Sequence, residues 1–316
     1  MSGPLKRIGF VGSTGLMGAP MTKCLLQKGF PVTMFVRPTR PRGRLDELVG
    51  YGGKEALTPA AMTAQSDVIL LCLTGSPAVD AVVYGKDGIL SAARPGLIVV
   101  DASTSDVVAS EKAREALAVK GAIFVDAPLT RTPAAAEKGE ANTMVGADKV
   151  VFDSLEPILK AYCEHVIHAG GPGKGLILKL INNMVGQAIC TAMAEGLTTA
   201  VKTGLDLKAL HKLMSLGSVN NLMFQFMVGT MLEGGPNQLD GLKFSLANAC
   251  KDLKNYTHLT EALQQPTPVA DAVHSALIQA NSFGLGDKYI ASLITAQEKL
   301  HGIKISTLPS QMQPLK

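Results

Sequence analysis

Arg7-Ile8-Gly9-Phe10-Val11-Gly12-Ser13-Thr14-Gly15-Leu16-Met17-Gly18 decides how the rest of this chain is read. The run from Ile8 to Val11 has the apolar character of a buried strand. The glycines after it let the backbone approach a ligand closely. The helix expected to open at Leu16 then offers oriented N–H groups and the positive end of its dipole. Strand, glycine turn and helix in that order suit a pyrophosphate, so Gly12, Ser13, Thr14, Gly15, Leu16, Met17 and Gly18 are assigned to a dinucleotide cofactor. The spacing Gly12-x-x-Gly15-x-x-Gly18 is one residue longer than the usual GxGxxG. A glycine turn with only a structural task is the alternative reading.

Outward from this turn, short runs rich in Val, Ile, Leu and Phe alternate with helical patterns. Strands are expected over 7–12, 32–37, 68–73, 97–102 and 122–126, with helices over 17–28, 56–64, 78–84 and 105–120. A helix over 149–162, flanked by strands over 141–146 and 165–168, extends the same sheet. Nearly continuous apolar strands between helices imply a parallel sheet covered on both faces. After Ala169-Gly-Gly-Pro-Gly173 the Val-rich runs disappear and helical patterning continues to about residue 302. The fold class expected is therefore α/β: a Rossmann-like doubly wound sheet followed by an all-α C-terminal domain. The dinucleotide-binding domain is placed at 1–172 and a helical substrate and oligomerisation domain at 173–316. The tail from Ile303 to Lys316 is expected to fray.

Composition narrows the function classes. Of 316 residues, 47% are hydrophobic and 18% charged, which suits a large core and two domains rather than disorder. A net charge of +4 does not indicate nucleic-acid binding. Five scattered cysteines without a CxxC, and six histidines without ligand spacing, give no disulfide framework and no metal site. No signal-peptide h-region precedes the first strand, and apolar runs such as Val68-Ile-Leu-Leu-Cys-Leu73 fall far short of the roughly 20 residues of a membrane span. The chain reads as a cytoplasmic protein without a membrane partner. The apolar helical half is expected to pair, giving a homodimer or homotetramer.

An NAD-preferring site places an acid at the end of the second strand. Here that strand runs Val32-Thr-Met-Phe-Val36-Arg37-Pro38-Thr39-Arg40 and has none. Arginine at this point suits a 2′-phosphate by charge and geometry. Arg37 and Thr39 are assigned to NADP, with NAD as the alternative cofactor and a solvated basic loop as the alternative reading. Two more strand ends, Leu73-Thr74-Gly75-Ser76 and Asp101-Ala-Ser103-Thr104, should line the same crevice. Their small hydroxyl side chains suit the ribose, the nicotinamide or the substrate. Leu73, Thr74 and Thr104 are assigned to the cofactor and Ser103 to the substrate.

The chemical centre is expected in Gly175-Leu-Ile-Leu-Lys179-Leu-Ile-Asn182-Asn183. A lysine inside an apolar helix is costly to bury unless its charge is used or lost. Asn183, four residues on, shares its face, and Asn182 lies beside it. Reducing a carbonyl takes a hydride on carbon and a proton on oxygen. A partly desolvated lysine gives up a proton near neutrality. The alternative is a snorkelling lysine at a domain edge.

At these residues the chain resembles the β-hydroxyacid dehydrogenase family, which includes 3-hydroxyisobutyrate dehydrogenase and tartronate semialdehyde reductase. The likeness runs from Lys6 to about Leu300. It rests on Gly9-Phe-Val-Gly12…Leu16-Met-Gly-Ala-Pro-Met21, Asp101-Ala-Ser-Thr104, Asp126-Ala-Pro-Leu-Thr130-Arg131-Thr132, Gly175-x-x-x-Lys179-x-x-Asn182-Asn183 and Phe244…Lys251-Asp-Leu253, in that order. The resemblance implies Lys179 as general acid/base, Asn183 as substrate ligand, and Thr104 and Lys251 as cofactor contacts. It also implies a small anionic hydroxy acid or its semialdehyde as substrate. In much of the family the substrate loop reads Ser-Gly-Gly; here it is Thr130-Arg131-Thr132, similar to the Gly-Arg-Thr of the sulfolactaldehyde reductase branch. All three are assigned to the substrate. Arg131 suggests a more demanding anion such as a sulfonate, unless its side chain points to solvent or another residue. Two other readings stay open: an imine reductase-like enzyme and a catalytically inert nucleotide-binding scaffold. Related proteins of both kinds generally lack the lysine.

Overall fold

The structure, a computed structural model, describes residues 6–235 and 237–306. The expectations for the extreme N-terminus and for the last ten residues of the tail lie outside the described residues. The chain divides into two compact units, Met1–Lys179 and Leu180–Lys316.

In the first unit, six strands run parallel: β1 (Ile8–Val11), β2 (Val32–Phe35), β3 (Lys54–Ala56), β4 (Val68–Leu71), β5 (Ile98–Asp101) and β6 (Ile123–Asp126). Their order in the sheet is β3-β2-β1-β4-β5-β6. The chain thus winds outward from β1 in one direction, then crosses to β4 and winds in the other. That reversal opens a crevice at the carboxyl ends of β1 and β4, where ligands bind in such sheets. β7 (Leu129–Thr130) and β8 (Ala141–Gly146) form an antiparallel pair, and β9 (Cys163–Gly170) runs parallel to β8. β8 joins β6 through the single pair Asp126↔Gly146.

Alternate strand residues enter two cores. Ile8, Phe10, Met34, Leu70 and Val100 face one side with Met21, Leu25 and Tyr162. Ile69, Leu71 and Val99 face the other with Met62, Val83 and Leu117. Burial on both faces is why these strands lack the polar alternation of a one-sided sheet. Each such side chain contributes about 1.5–3 kcal/mol of transfer free energy.

The covering helices are α1 (Gly18–Gln27), α2 (Gly43–Gly50), α3 (Pro59–Ala64), α4 (Ser76–Tyr84), α5 (Ile89–Ala92), α6 (Val107–Ala118), α7 (Pro133–Glu137) and α8 (Lys149–Leu159). Among the boundaries that differ from the sequence reading, those of α1, β3 and α3 bear on the site. α1 starts at Gly18, not Leu16, because the glycine turn runs on to Gly18 itself. Ala56 ends β3 instead of opening a helix. α3 begins at Pro59, where Thr58 accepts from Ala61 N–H at 3.0 Å and proline favours a first turn. β3 escaped notice because its residues Lys54 and Glu55 are polar and exposed.

α9 (Lys174–Lys202) is a continuous helix of 29 residues that begins in the first unit and continues in the second. By length and composition it could cross a membrane, with a mean hydropathy of 1.3 over its most apolar window, which the shorter runs of the sequence reading did not suggest. It also buries Asn183, Gln187 and Thr191, groups that are costly in hydrocarbon.

The second unit adds α10 (Leu207–Leu216), α11 (Leu222–Phe224), a π-helical turn (Gln225–Gly229), α12 (Thr230–Glu233), α13 (Leu246–Ala262), α14 (Pro268–Ala280) and α15 (Leu293–His301). Leu246, Leu253, Leu277 and Ile294 are fully buried in it, and Met227 and Met231 join this interior.

Candidate functional site

The glycine turn is held by close backbone approach. Gly12 has φ +88°, and a methyl group there would stand 2.1 Å from the Cys72 carbonyl oxygen at the end of β4. One at Gly18 would stand 2.0 Å from the Gly12 carbonyl oxygen. Gly15 N–H closes the turn on that carbonyl at 2.9 Å. Thus the extra residue is absorbed without pushing α1 away from β1. The Ser13 hydroxyl is buried with no hydrogen-bond partner among the described residues. No side chain caps α1, and its first turn carries no acid. A buried hydroxyl and uncapped helix N–H groups fit an anionic pyrophosphate by charge and by shape. Leu16 is exposed at the same turn, Met17 packs against the core below it, and Thr14 lies between them and the buried Ser13.

Beyond β2, Arg37, Thr39 and Arg40 are exposed. Arg42 is engaged with Asp46 at 3.2 Å and Glu55 at 3.0 Å. Arg44 instead donates to the Thr14 carbonyl at 3.3 Å, which places its guanidinium at the glycine turn. The sequence reading chose Arg37 and Thr39 and left Arg44 unassigned. Only the packing of α2 beside the turn singles out Arg44.

The ends of β4 and β5 are tied together. Leu73 N–H donates to the Ser103 hydroxyl at 2.9 Å. Ser103, assigned from sequence to the substrate, is 3% exposed and so makes a framework contact between the two strand ends. Asp101 accepts from Ser103 N–H and the Ser105 hydroxyl, both at 2.9 Å. Burial pushes its carboxyl up to about 6, against the pull of those bonds, and the nearby Asp126 carboxylate adds to the rise. Thr74 is exposed and Thr104 half-buried at the same rim.

Asp126, at the end of β6, was read from sequence only as the first residue of the substrate loop. In the structure it accepts from Gly173 N–H and Leu176 N–H, each at 2.7 Å, at the start of α9. Burial raises its pKa, opposed by these N–H donors. Lys179 follows within one turn and is half-buried.

The substrate loop departs from expectation at Arg131. Its guanidinium binds Glu164 on β9 and the Glu140 carbonyl, the latter at 2.9 Å. One guanidinium nitrogen, Nη1, is therefore committed to the protein's own groups, the alternative that the sequence reading left open for this side chain. The backbone explains the loop better. Arg131 has φ +75°, a left-handed conformation that favours glycine. The loop keeps that geometry with a non-glycine residue. The Thr132 hydroxyl accepts from Ala135 N–H and caps α7, while Thr130 closes β7.

In the second unit, Asn183 is 9% exposed and donates to Asp252 Oδ2 at 2.6 Å. Asn182 donates to Asn183 Oδ1 at 3.1 Å. Lys251 pairs with Asp252 Oδ1 at 2.7 Å. Asp252 links α13 to α9 and orients the asparagine amide.

Residues 7–171 match the NAD binding domain of 6-phosphogluconate dehydrogenase, and residues 173–296 match the family described as NAD-binding of NADP-dependent 3-hydroxyisobutyrate dehydrogenase. Glyoxylate/succinic semialdehyde reductase 1 of Arabidopsis thaliana is 31% identical over 92% of this chain and 97% of its own. Its chloroplastic counterpart, reductase 2, is 30% identical over 92% of this chain and 78% of its own. The solved structure of Mycobacterium tuberculosis 3-hydroxyisobutyrate dehydrogenase with L-serine superposes with a TM-score of 0.82 at 23% identity, covering 94% of this chain and 100% of that one. The glycine turn, the doubly wound sheet and the helical half thus have their counterparts in one group of proteins: the chain belongs to the β-hydroxyacid dehydrogenase family of NAD(P)-dependent oxidoreductases.

Proposed function

We propose that this chain reduces a small carboxylate-bearing semialdehyde to the hydroxy acid, or runs the reverse reaction, with NADP as preferred cofactor and Lys179 as general acid/base. The observation that carries the reading is α9, which is tied to the sheet at Asp126 and then presents Lys179 and, four residues on, Asn183. The 31%-identical plant relative is named for glyoxylate and succinic semialdehyde, both small anionic aldehydes, which supports the substrate class.

The residues suited to hold the dinucleotide are those of the Gly12–Gly18 turn, Arg37, Thr39 and Arg44 on the adenosine side, and Leu73, Thr74 and Thr104 at the next strand ends; the family resemblance adds Lys251. Arginines and the absence of an acid after β2 favour a 2′-phosphate. Held by these residues, a nicotinamide cofactor would supply hydride-transfer chemistry. Lys179 gives its ammonium proton to the carbonyl oxygen, and in the oxidative direction its neutral amine takes the hydroxyl proton. Asn183, held by Asp252, orients the reacting oxygen without adding charge. Thr130, Arg131 and Thr132 receive the substrate carboxylate through their backbone rather than through the Arg131 fork.

Exposed Ile181, Val185, Leu213, Leu216 and Leu222 on the second unit support a homodimer or homotetramer. Free cysteines throughout accord with a reducing compartment such as the cytoplasm. The test is a panel of semialdehydes and hydroxy acids, carboxylate and sulfonate, each assayed with NADPH or NADH or the oxidised forms. Turnover of short carboxylate semialdehydes with NADPH supports the proposal. Turnover of cyclic imines alone, or of nothing while nucleotide still binds, overturns it in favour of an imine reductase or a scaffold.

A further inference from the structure

The Asp126 carboxylate is 5% exposed, and each of its oxygens accepts a separate backbone bond at 2.7 Å. The two donors, Gly173 and Leu176, lie on either side of the first residue of α9. One carboxylate therefore fixes both the approach to the helix and its first turn. The surroundings leave it no slack. A methyl group at Gly146 would lie 2.5 Å from both carboxylate oxygens. One at Gly175 would lie 2.3 Å from the Met144 carbonyl oxygen and 2.9 Å from that of Asp126. β6, β8 and the start of α9 thus meet with no room for a side chain at either glycine. A shift or rotation of the helix would break one of the carboxylate's bonds or drive backbone into backbone. Burial raises the pKa of this carboxyl, opposed by the backbone N–H donors.

We propose that Asp126 is a positioning residue for the reaction: it anchors α9 to the sheet and so sets the height and rotation of Lys179. This rests on the reading of Lys179 as the acid/base. Lys179 lies three residues past Leu176, roughly 4.5 Å along the axis, so movement of the first turn reaches it undamped. An amide cannot replace the carboxylate, because its NH2 would face one of the two N–H donors.

The test compares wild type with Asp126→Asn, Gly146→Ala and Thr58→Ala. Gly146→Ala keeps the charge but crowds the carboxylate. Thr58→Ala removes an equivalent cap from α3, remote from the chemistry, and controls for general destabilisation. Asp126→Asn and Gly146→Ala should lower kcat about 10- to 100-fold, the loss expected for a misplaced reacting group, with substrate KM and NADPH Kd within about threefold. Amide hydrogen exchange over 173–179 should accelerate in both, while Thr58→Ala keeps wild-type kcat and exchange there. If Asp126→Asn keeps kcat within about twofold, or loses no more than Thr58→Ala does, the positioning role is wrong. If wild type turns over no semialdehyde, the proposed function falls, and exchange alone decides the anchoring: unchanged protection over 173–179 in Asp126→Asn overturns it.

Discussion

Asn183 and Asp252, 69 positions apart in the chain, meet across 2.6 Å, and the bond fixes the orientation of the asparagine amide. Both groups are buried, so losing either removes a buried hydrogen bond from the other. Each single alanine variant should cost about 1–3 kcal/mol in urea unfolding. The double variant should cost clearly less than the sum, because the pair is a unit. Strict additivity would show that the two side chains do not interact in solution.

Lys179→Ala should lower turnover by roughly 10²-fold or more while NADPH affinity, followed by fluorescence titration, stays within a few fold. Loss of a purely structural lysine would move stability, not kcat alone. Wild-type turnover in this variant would remove Lys179 from the mechanism.

The two arginines beyond β2 should separate the cofactors. Arg44→Ala should raise the NADPH Kd about tenfold or more and leave NADH unchanged, the cost of one charged hydrogen bond to a phosphate. Arg37→Asp should shift preference toward NADH. Equal effects on both nucleotides would place these residues away from the 2′-phosphate.

Asp101 should make the protein less stable as pH rises. Its folded pKa of about 6 lies above the ordinary value of 3.8, so the folded state binds the proton more tightly. Its contribution is complete below the unfolded value and is lost as pH climbs through the folded one, a change of about 2 kcal/mol between pH 4 and 7. Asp67 acts in a different window. Arg7 holds it near 2, so its smaller, solvent-screened contribution is lost only in acid. Urea unfolding of wild type and Asp101→Asn at pH 4, 5, 6 and 7 isolates the effect. A stability difference that does not vary with pH would contradict it.

Arg131→Gly should leave stability nearly unchanged. Losing an exposed ion pair costs about 0–1 kcal/mol, and glycine relieves a left-handed backbone that costs about 1–2 kcal/mol. The ratio of kcat/KM for carboxylate over sulfonate substrates should stay within about twofold, since a group committed to Glu164 does not choose between them. Selective collapse of sulfonate turnover would return Arg131 to the anion site.

The strands of the doubly wound sheet were legible because burial on both faces forces unbroken apolar runs, as in Val68-Ile-Leu-Leu71. Lys179 stood out for the opposite reason, as a charge where apolar residues prevail. β3 was not legible, because the edge residues Lys54 and Glu55 carry no hydrophobic signal. Neither was the rank of Arg44 above Arg42, which depends on where Asp46 and Glu55 happen to lie.

By itself the sequence determined the fold class, the glycine turn and the identity of the charged residue on the long helix, because periodicity and local backbone demands are written in adjacent residues. Tertiary structure decided what each polar group is bonded to. It turned Arg131 toward Glu164, made Ser103 a link between strand ends, and gave Asp126 the first turn of α9. Such pairings depend on residues distant in the chain that only packing brings within hydrogen-bond range.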